Sequence, residues 1–311
     1  MSIPVIFTHT SNSLYLQLAL LQAKKTCGQD IHLIGDQSNE AAFVRHHKLS
    51  DYDKSPLCQE FEKNYKHRSV NPYNYELFCL KRWFVALEFL AKNNLSECFC
   101  VDSDVLIYKD LNELRAFLEG ADFSVIYFRE EFAGPQCCYF KREALERYCN
   151  FILKMYRDDF SELEKIYEGF KAKGYVSGLS DMVLLAEFCK RNRGKFVDFD
   201  YSPERDFCLD ENVGLSYGFE VKDGLKKIRL CDGIPRIKRL DGGREVKFYA
   251  LHFQGNYKPY MRKYSTLTFS ERRESPYYTR LLIKTSAKDF CKKLLPKPLL
   301  KAAKKLLRRG A

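Results

Sequence analysis

The sequence predicts an α/β protein built on a mostly parallel sheet flanked by helices, with a basic helical appendage at its C-terminus. Three observations carry this. A buried strand, an amphipathic helix and a second strand follow one another within the first 36 residues, which is the start of a parallel sheet with a right-handed crossover. Helical and strand patterns then alternate as far as residue 196. The hydrophobic content of 45%, with 14% aromatic residues, lets a chain of 311 residues offset its conformational entropy by burial.

Residues 4–10 read as the first strand, Ser11-Asn12-Ser13 as a helix cap, and the helix runs to about Lys25; Ile31–Gly35 is the second strand, ending at Asp36. Ligands of open sheets bind beyond the carboxyl ends of strands, which places Thr8, His9, Thr10 and Asp36 at the mouth of a site. Residues 51–74 are polar and without a clear period, and read as a long loop near that mouth. Tyr75–Lys92 has apolar residues at helical spacing, and Cys98–Val101 is a short apolar strand. Leu111–Leu118 reads as helix, Phe123–Phe128 and Gln136–Phe140 as strands, and 143–173 as two amphipathic helices. The helix after Gly178 has a polar start at Ser180-Asp181 and an apolar body. From Phe196 to His252 the pattern changes to short strands, with Gly218–Val221, Lys227–Leu230 and Glu245–Leu251 as candidates, and Asp241-Gly242-Gly243 has hairpin-turn chemistry.

Two segments far apart carry the chemistry. Val101-Asp102-Ser103-Asp104-Val105 places two carboxylates at i and i+2 as the chain leaves a buried strand, giving hard anionic oxygens to a divalent cation. Leu251-His252-Phe253-Gln254-Gly255-Asn256-Tyr257-Lys258-Pro259 supplies an imidazole to complete one side of the metal shell, a glycine for close backbone approach to a phosphate, and a lysine as a point charge.

The spacing His252-x-x-Gly255-x-x-Lys258-Pro259 downstream of Asp102-x-Asp104 resembles glycosyltransferase family 8, over most of residues 1–265. The resemblance implies a GT-A (Rossmann-like) fold and metal-dependent transfer of a hexose from a nucleotide diphosphate sugar, a UDP-hexose first of all, to a glycan or glycolipid. It implies Asp102, Asp104 and His252 as the site of Mn²⁺ (or Mg²⁺). Thr8, Asp36, Asp102, Ser103, Gly255 and Lys258 would hold the donor, and Asp181 and Arg82, with Lys81 close behind, would orient the sugar. Two positions depart from the family pattern. Phe132 stands where members carry Asn before Ala133-Gly134. Met182 stands where members carry Gln after the Asp, and a thioether can neither attack nor stabilise an anomeric centre, so retention of configuration is carried by the resemblance alone.

The resemblance divides the chain into a catalytic domain over 1–269, with a nucleotide-binding part to about residue 140 and an acceptor-binding part over 141–269, and a tail over 270–311. Most of the formal charge of +11 resides in that tail: between Lys284 and Ala311 ten Lys or Arg face one Asp, a charge of +9 that leaves +2 for the rest. A body so close to neutral argues against a nucleic-acid groove. Residues 286–309 read as two short basic amphipathic helices broken at Pro296 and Pro298, suited to an anionic membrane surface. No secretory signal and no long apolar run are visible, so the expected location is cytoplasmic, at a membrane periphery. The 12 cysteines lack metal-site spacing and are expected to be reduced and buried.

Two other readings compete. A haloacid-dehalogenase-like phosphatase also uses Asp-x-Asp after a buried strand, but that strand comes near the start of its core and carries Thr or Val where this chain has Leu106. A noncatalytic adaptor driven by the basic tail would lose its whole activity with residues 284–311.

Overall fold

The structure, a computed structural model, describes residues 2–28, 30–175 and 178–294. Strand β1 (Val5–Thr8) is followed by helix α1 (Leu14–Cys27), which begins where the Ser13 hydroxyl accepts the Leu16 N–H at 3.3 Å. Strand β2 (Ile31–Gly35) pairs parallel with β1, and β3 (Arg45–Lys48) pairs parallel with β2 on its outer side. The expected loop over 51–74 instead contains helix α2 (Pro56–Asn64), started by the Ser55 hydroxyl and by Pro56 in the first turn. Its buried face is only Cys58 and Phe61, too few apolar residues to display a period. Helix α3 (Tyr73–Lys92) leads to β4 (Glu97–Val101), which inserts beside β1 on the side away from β2, with Val5 opposite Phe99.

Next come β5 (Val105–Ile107) and a 3₁₀ helix over Leu111–Phe117, close to the helix that the sequence predicts over Leu111–Leu118. Strands β6 (Phe123–Arg129), β7 (Phe132–Gly134) and β8 (Cys137–Lys141) precede helices α4 (Arg142–Arg157), α5 (Phe160–Ala172) and α6 (Asp181–Arg191) and strand β9 (Phe196–Asp198). The first sheet has the order β3-β2-β1-β4-β8-β6-β7, with β9 also on β6. Only β8 and β7 run against the other strands, so the sheet is mostly parallel, as expected.

A second sheet is built from β10 (Phe207–Leu209), β13 (Arg229–Cys231), β14 (Ile234–Lys238) and β15 (Glu245–His252), beside the small pair β11 (Val221–Lys222) and β12 (Leu225–Lys226). The β14–β15 turn uses Gly242 and Gly243 at positive φ, as the sequence predicts. Strand β5 belongs to this sheet: it pairs antiparallel with β15, with Val105 opposite His252. The chain therefore crosses from one sheet to the other through Asp102-Ser103-Asp104.

Short helices α7 (Met261–Tyr264) and α8 (Phe269–Arg272) lead to α9 (Tyr278–Leu294), which begins earlier than the first helix read in the tail. The second of those helices lies outside the described residues. Two apolar clusters cover opposite faces of the first sheet: one joins α1 to the second sheet, the other collects α2, α3, α4 and α6. The described cysteines are free thiols, most of them buried. No helix of the described residues is long and apolar enough to cross a membrane.

Candidate active site

Strand order reverses between β1 and β4: β2 and β3 build outward from one edge of β1, while the chain later returns to its other edge. Such a switch point opens a crevice beyond the strand ends. A cavity of about 310 Å³ lies there, lined from the sequence-predicted set by Thr8, Arg82, Asp102, Ser103, Asp104, Asp181, His252 and Lys258.

The carboxylates arrive on the turn that ends β4, pinned by the Asp102 N–H donating to the Gln136 carbonyl at 2.9 Å. The imidazole arrives at the end of β15. Because Val105 pairs with His252, and the Phe253 N–H donates to the Asp104 carbonyl at 2.9 Å, the two motifs meet. One ligand atom from each of Asp102, Asp104 and His252 lies within 4.8 Å of the others. His252 Nδ1 donates to the Glu211 carbonyl at 2.6 Å, which turns Nε2 toward Asp104, 3.4 Å away. Two hard oxygens and an imidazole nitrogen so placed fit a divalent cation of the Mn²⁺ or Mg²⁺ kind.

Charges around this triad are tightly matched. Burial works against ionising Asp104, yet His252 and Lys258, the latter 3.0 Å away, hold its carboxyl well below the usual range. Burial likewise disfavours the His252 cation, but Asp104 raises this imidazole to about 9. Arg82 on α3 bridges two carboxylates, donating from Nη1 to Asp102 and from Nη2 to Asp181 at 2.8 Å. Asp181, at the start of α6, is nevertheless raised to about 6, because burial outweighs its partner. It forms a buried ion pair with Arg82 while lining the cavity, and no side-chain cap bond forms at this helix start. Gly178 brings α6 here: a Cβ on it would stand 2.1 Å from the Arg68 carbonyl oxygen.

Two predicted donor residues lie apart from the cavity lining. Asp36 spends its oxygens on the local turn, accepting from the Ser11 N–H at 2.6 Å and from the Ser38 N–H at 2.8 Å. Gly255 takes φ +61° to open the turn Gly255–Tyr260 and faces a neighbouring cleft. Phe132 stacks on Phe170 at 5.4 Å, and Lys81 pairs with Glu62 at 3.0 Å.

Sequence reasoning missed a second layer. Glu211 lines the cavity, is buried, and its Oε2 has no hydrogen-bond partner among the described residues; burial first, then Asp210, push its carboxyl up to about 7. Asp210 forms a buried ion pair with Lys226 and accepts the His252 N–H at 3.2 Å. The signal was a polar run, Asp210-Glu211-Asn212, directly after a buried strand.

The chain is similar in structure to several solved glycosyltransferases. Bifunctional glycosyltransferase WbbM is 10% identical, with 90% of this chain and 51% of that one covered and a TM-score of 0.49. An active-site mutant of LgtC is 15% identical, with 91% and 96% covered and a TM-score of 0.47. Mouse xyloside xylosyltransferase 1 is 12% identical, with 64% and 86% covered and a TM-score of 0.46. No family model matches the sequence, and no curated protein matches it. Likenesses this remote assign no activity.

Proposed function

We propose that this protein is a metal-dependent glycosyltransferase that moves a hexose from a nucleotide diphosphate sugar, UDP-linked first of all, to a glycan or glycolipid, working at an anionic membrane surface through its basic tail. One observation carries the reading: Asp102, Asp104 and His252 converge at the switch point of the sheet, with Lys258 beside them. Donor cleavage leaves negative charge on a diphosphate, and a bound Mn²⁺ or Mg²⁺ would supply charge stabilisation there. Asp102, Asp104 and His252 would hold that ion. Lys258 adds a fixed positive charge to the phosphates, and Thr8 and Ser103 present hydroxyls to the donor. Arg82 keeps Asp181 ionised and aimed into the cavity, where it accepts hydrogen bonds from sugar hydroxyls. Transfer would retain configuration, with Met182 offering no group to the reacting carbon.

Calorimetric titration with UDP and other nucleoside diphosphates, in Mn²⁺ and then in chelator, tests the reading. Binding that needs the metal is expected; absence of binding by every nucleotide in Mn²⁺ would sink it.

Glu211 has a part in this scheme. Asp102 and Asp104 would hold the metal and Asp181 would meet the donor sugar, which leaves Glu211, a carboxylate lining the cavity whose Oε2 has no hydrogen-bond partner among the described residues, to receive the incoming hydroxyl. Glu211→Gln is expected to lower turnover by about 10²-fold or more, the usual weight of a positioned proton acceptor, with nucleotide affinity unchanged. Unchanged turnover would remove Glu211 from the mechanism.

A further inference from the structure

Beside the catalytic cavity lies a larger cleft of about 1010 Å³, bounded by the start of α1, the turn Gly255–Tyr260, α7 and α9. Tyr15 and Lys258 line both spaces, so the two share one wall. Four cations line the cleft, Lys258, Arg262, Lys263 and Lys284, and no Asp or Glu does. Lys258 is engaged by Asp104. The other three have no carboxylate partner among the described residues, although the rest of the surface is laced with ion pairs. The first turn of α1 also meets the cleft and adds the partial positive charge of a helix N-terminus.

The other wall is apolar. Leu18 of α1 and Leu281 of α9 line it, the latter one turn before Lys284. A soluble anion would leave that wall unused, and a neutral lipid would leave three unpaired cations facing it. An amphiphile with an anionic head engages both, its phosphate meeting three exposed cations and its chain covering the leucines. Helix α9 also runs directly into the most basic part of the chain.

We propose that this cleft binds the phosphate-bearing head and first hydrocarbon units of a lipid, which serves as the acceptor's anchor. The inference rests on the transferase reading and names its acceptor class: a phosphate-linked lipid whose glycan crosses Tyr15 and Lys258 into the catalytic cavity.

The test is binding of farnesyl diphosphate to the full chain in chelator, which silences the metal-dependent site. Farnesol and inorganic pyrophosphate serve as half-probes. The wild type is expected to bind farnesyl diphosphate at least about tenfold more tightly than either half, and Arg262→Ala/Lys263→Ala/Lys284→Ala to lose at least about tenfold, since each cation near a phosphate contributes. Lys284→Glu alone, at an exposed helix position, should weaken binding in the same direction and covers the case of a triple variant that does not fold. Equal binding by wild type and variants would overturn the proposal. Pyrophosphate binding as tightly as farnesyl diphosphate would also overturn it, by showing an anion site without a lipid. Nucleotide binding in Mn²⁺, measured separately on the wild type, reports on the transferase reading: its absence alongside farnesyl diphosphate binding would fell that reading and leave the lipid site standing.

Discussion

Asp104→Ala is expected to lower divalent-cation-dependent nucleotide binding by at least about a hundredfold, since partners one shell further from a metal already cost ten- to a hundredfold. Asp104 is the hub of the site: its carboxylate faces His252 at 3.4 Å and Lys258 at 3.0 Å. Its structural contribution is separable from this charge, because the carbonyl that receives the Phe253 N–H survives in alanine. The variant should therefore fold and lose the metal site. Asp104→Asn, which keeps the shape and removes the charge, is expected to behave in the same way. Calorimetry with Mn²⁺ and UDP checks both, alongside a thermal melt; binding retained within a few fold would leave Asp102 and His252 without a shared ion.

Lys226→Met is expected to destabilise the fold by about 3–5 kcal/mol, the cost of stranding one member of a buried ion pair. Its side chain is 2% exposed and that of Asp210 is 0% exposed. The ammonium also donates to the Asn212 carbonyl at 2.9 Å, so two acceptors lose their donor together. Against the roughly 5–15 kcal/mol that holds a typical domain folded, such a loss is large. The double variant Asp210→Asn/Lys226→Met should recover most of it, because a neutral amide can still accept the His252 N–H and no charge remains buried. Guanidinium unfolding of the wild type, both single variants and the double variant measures the coupling. If Lys226→Met left the midpoint unmoved, the pair would hold nothing in place.

What could be read from the sequence followed from local chemistry. The β1–α1–β2 opening, the helices after residue 141 and the hairpin at Gly242-Gly243 each depend on residues a few positions apart, and each formed. Helix α2 escaped because two buried residues make no pattern. The turn that Asp36 closes with Ser11 and Ser38 is not legible in the sequence, because a carboxylate at a strand end can point outward or curl back onto local N–H groups. Lys226 escaped for a deeper reason. In Gly224-Leu225-Lys226-Lys227 both lysines look solvated, and only the long-range placement of Asp210 buries one of them. The meeting of Asp104 with His252 was legible through the motif resemblance, while its cause, the pairing of the three-residue strand β5 with β15, was too short to announce itself.

That pairing has a consequence for the chain as a polymer. Strands β5 and β15 close a ring that contains nearly half of the molecule, and holding its ends together opposes a loop entropy that grows only slowly with ring size. A cation shared by Asp104 and His252 would tie the knot at the same place, binding the folded ring and not the open one. Catalytic metal and chain topology would then be coupled thermodynamically, with midpoint stability rising as the logarithm of free metal concentration.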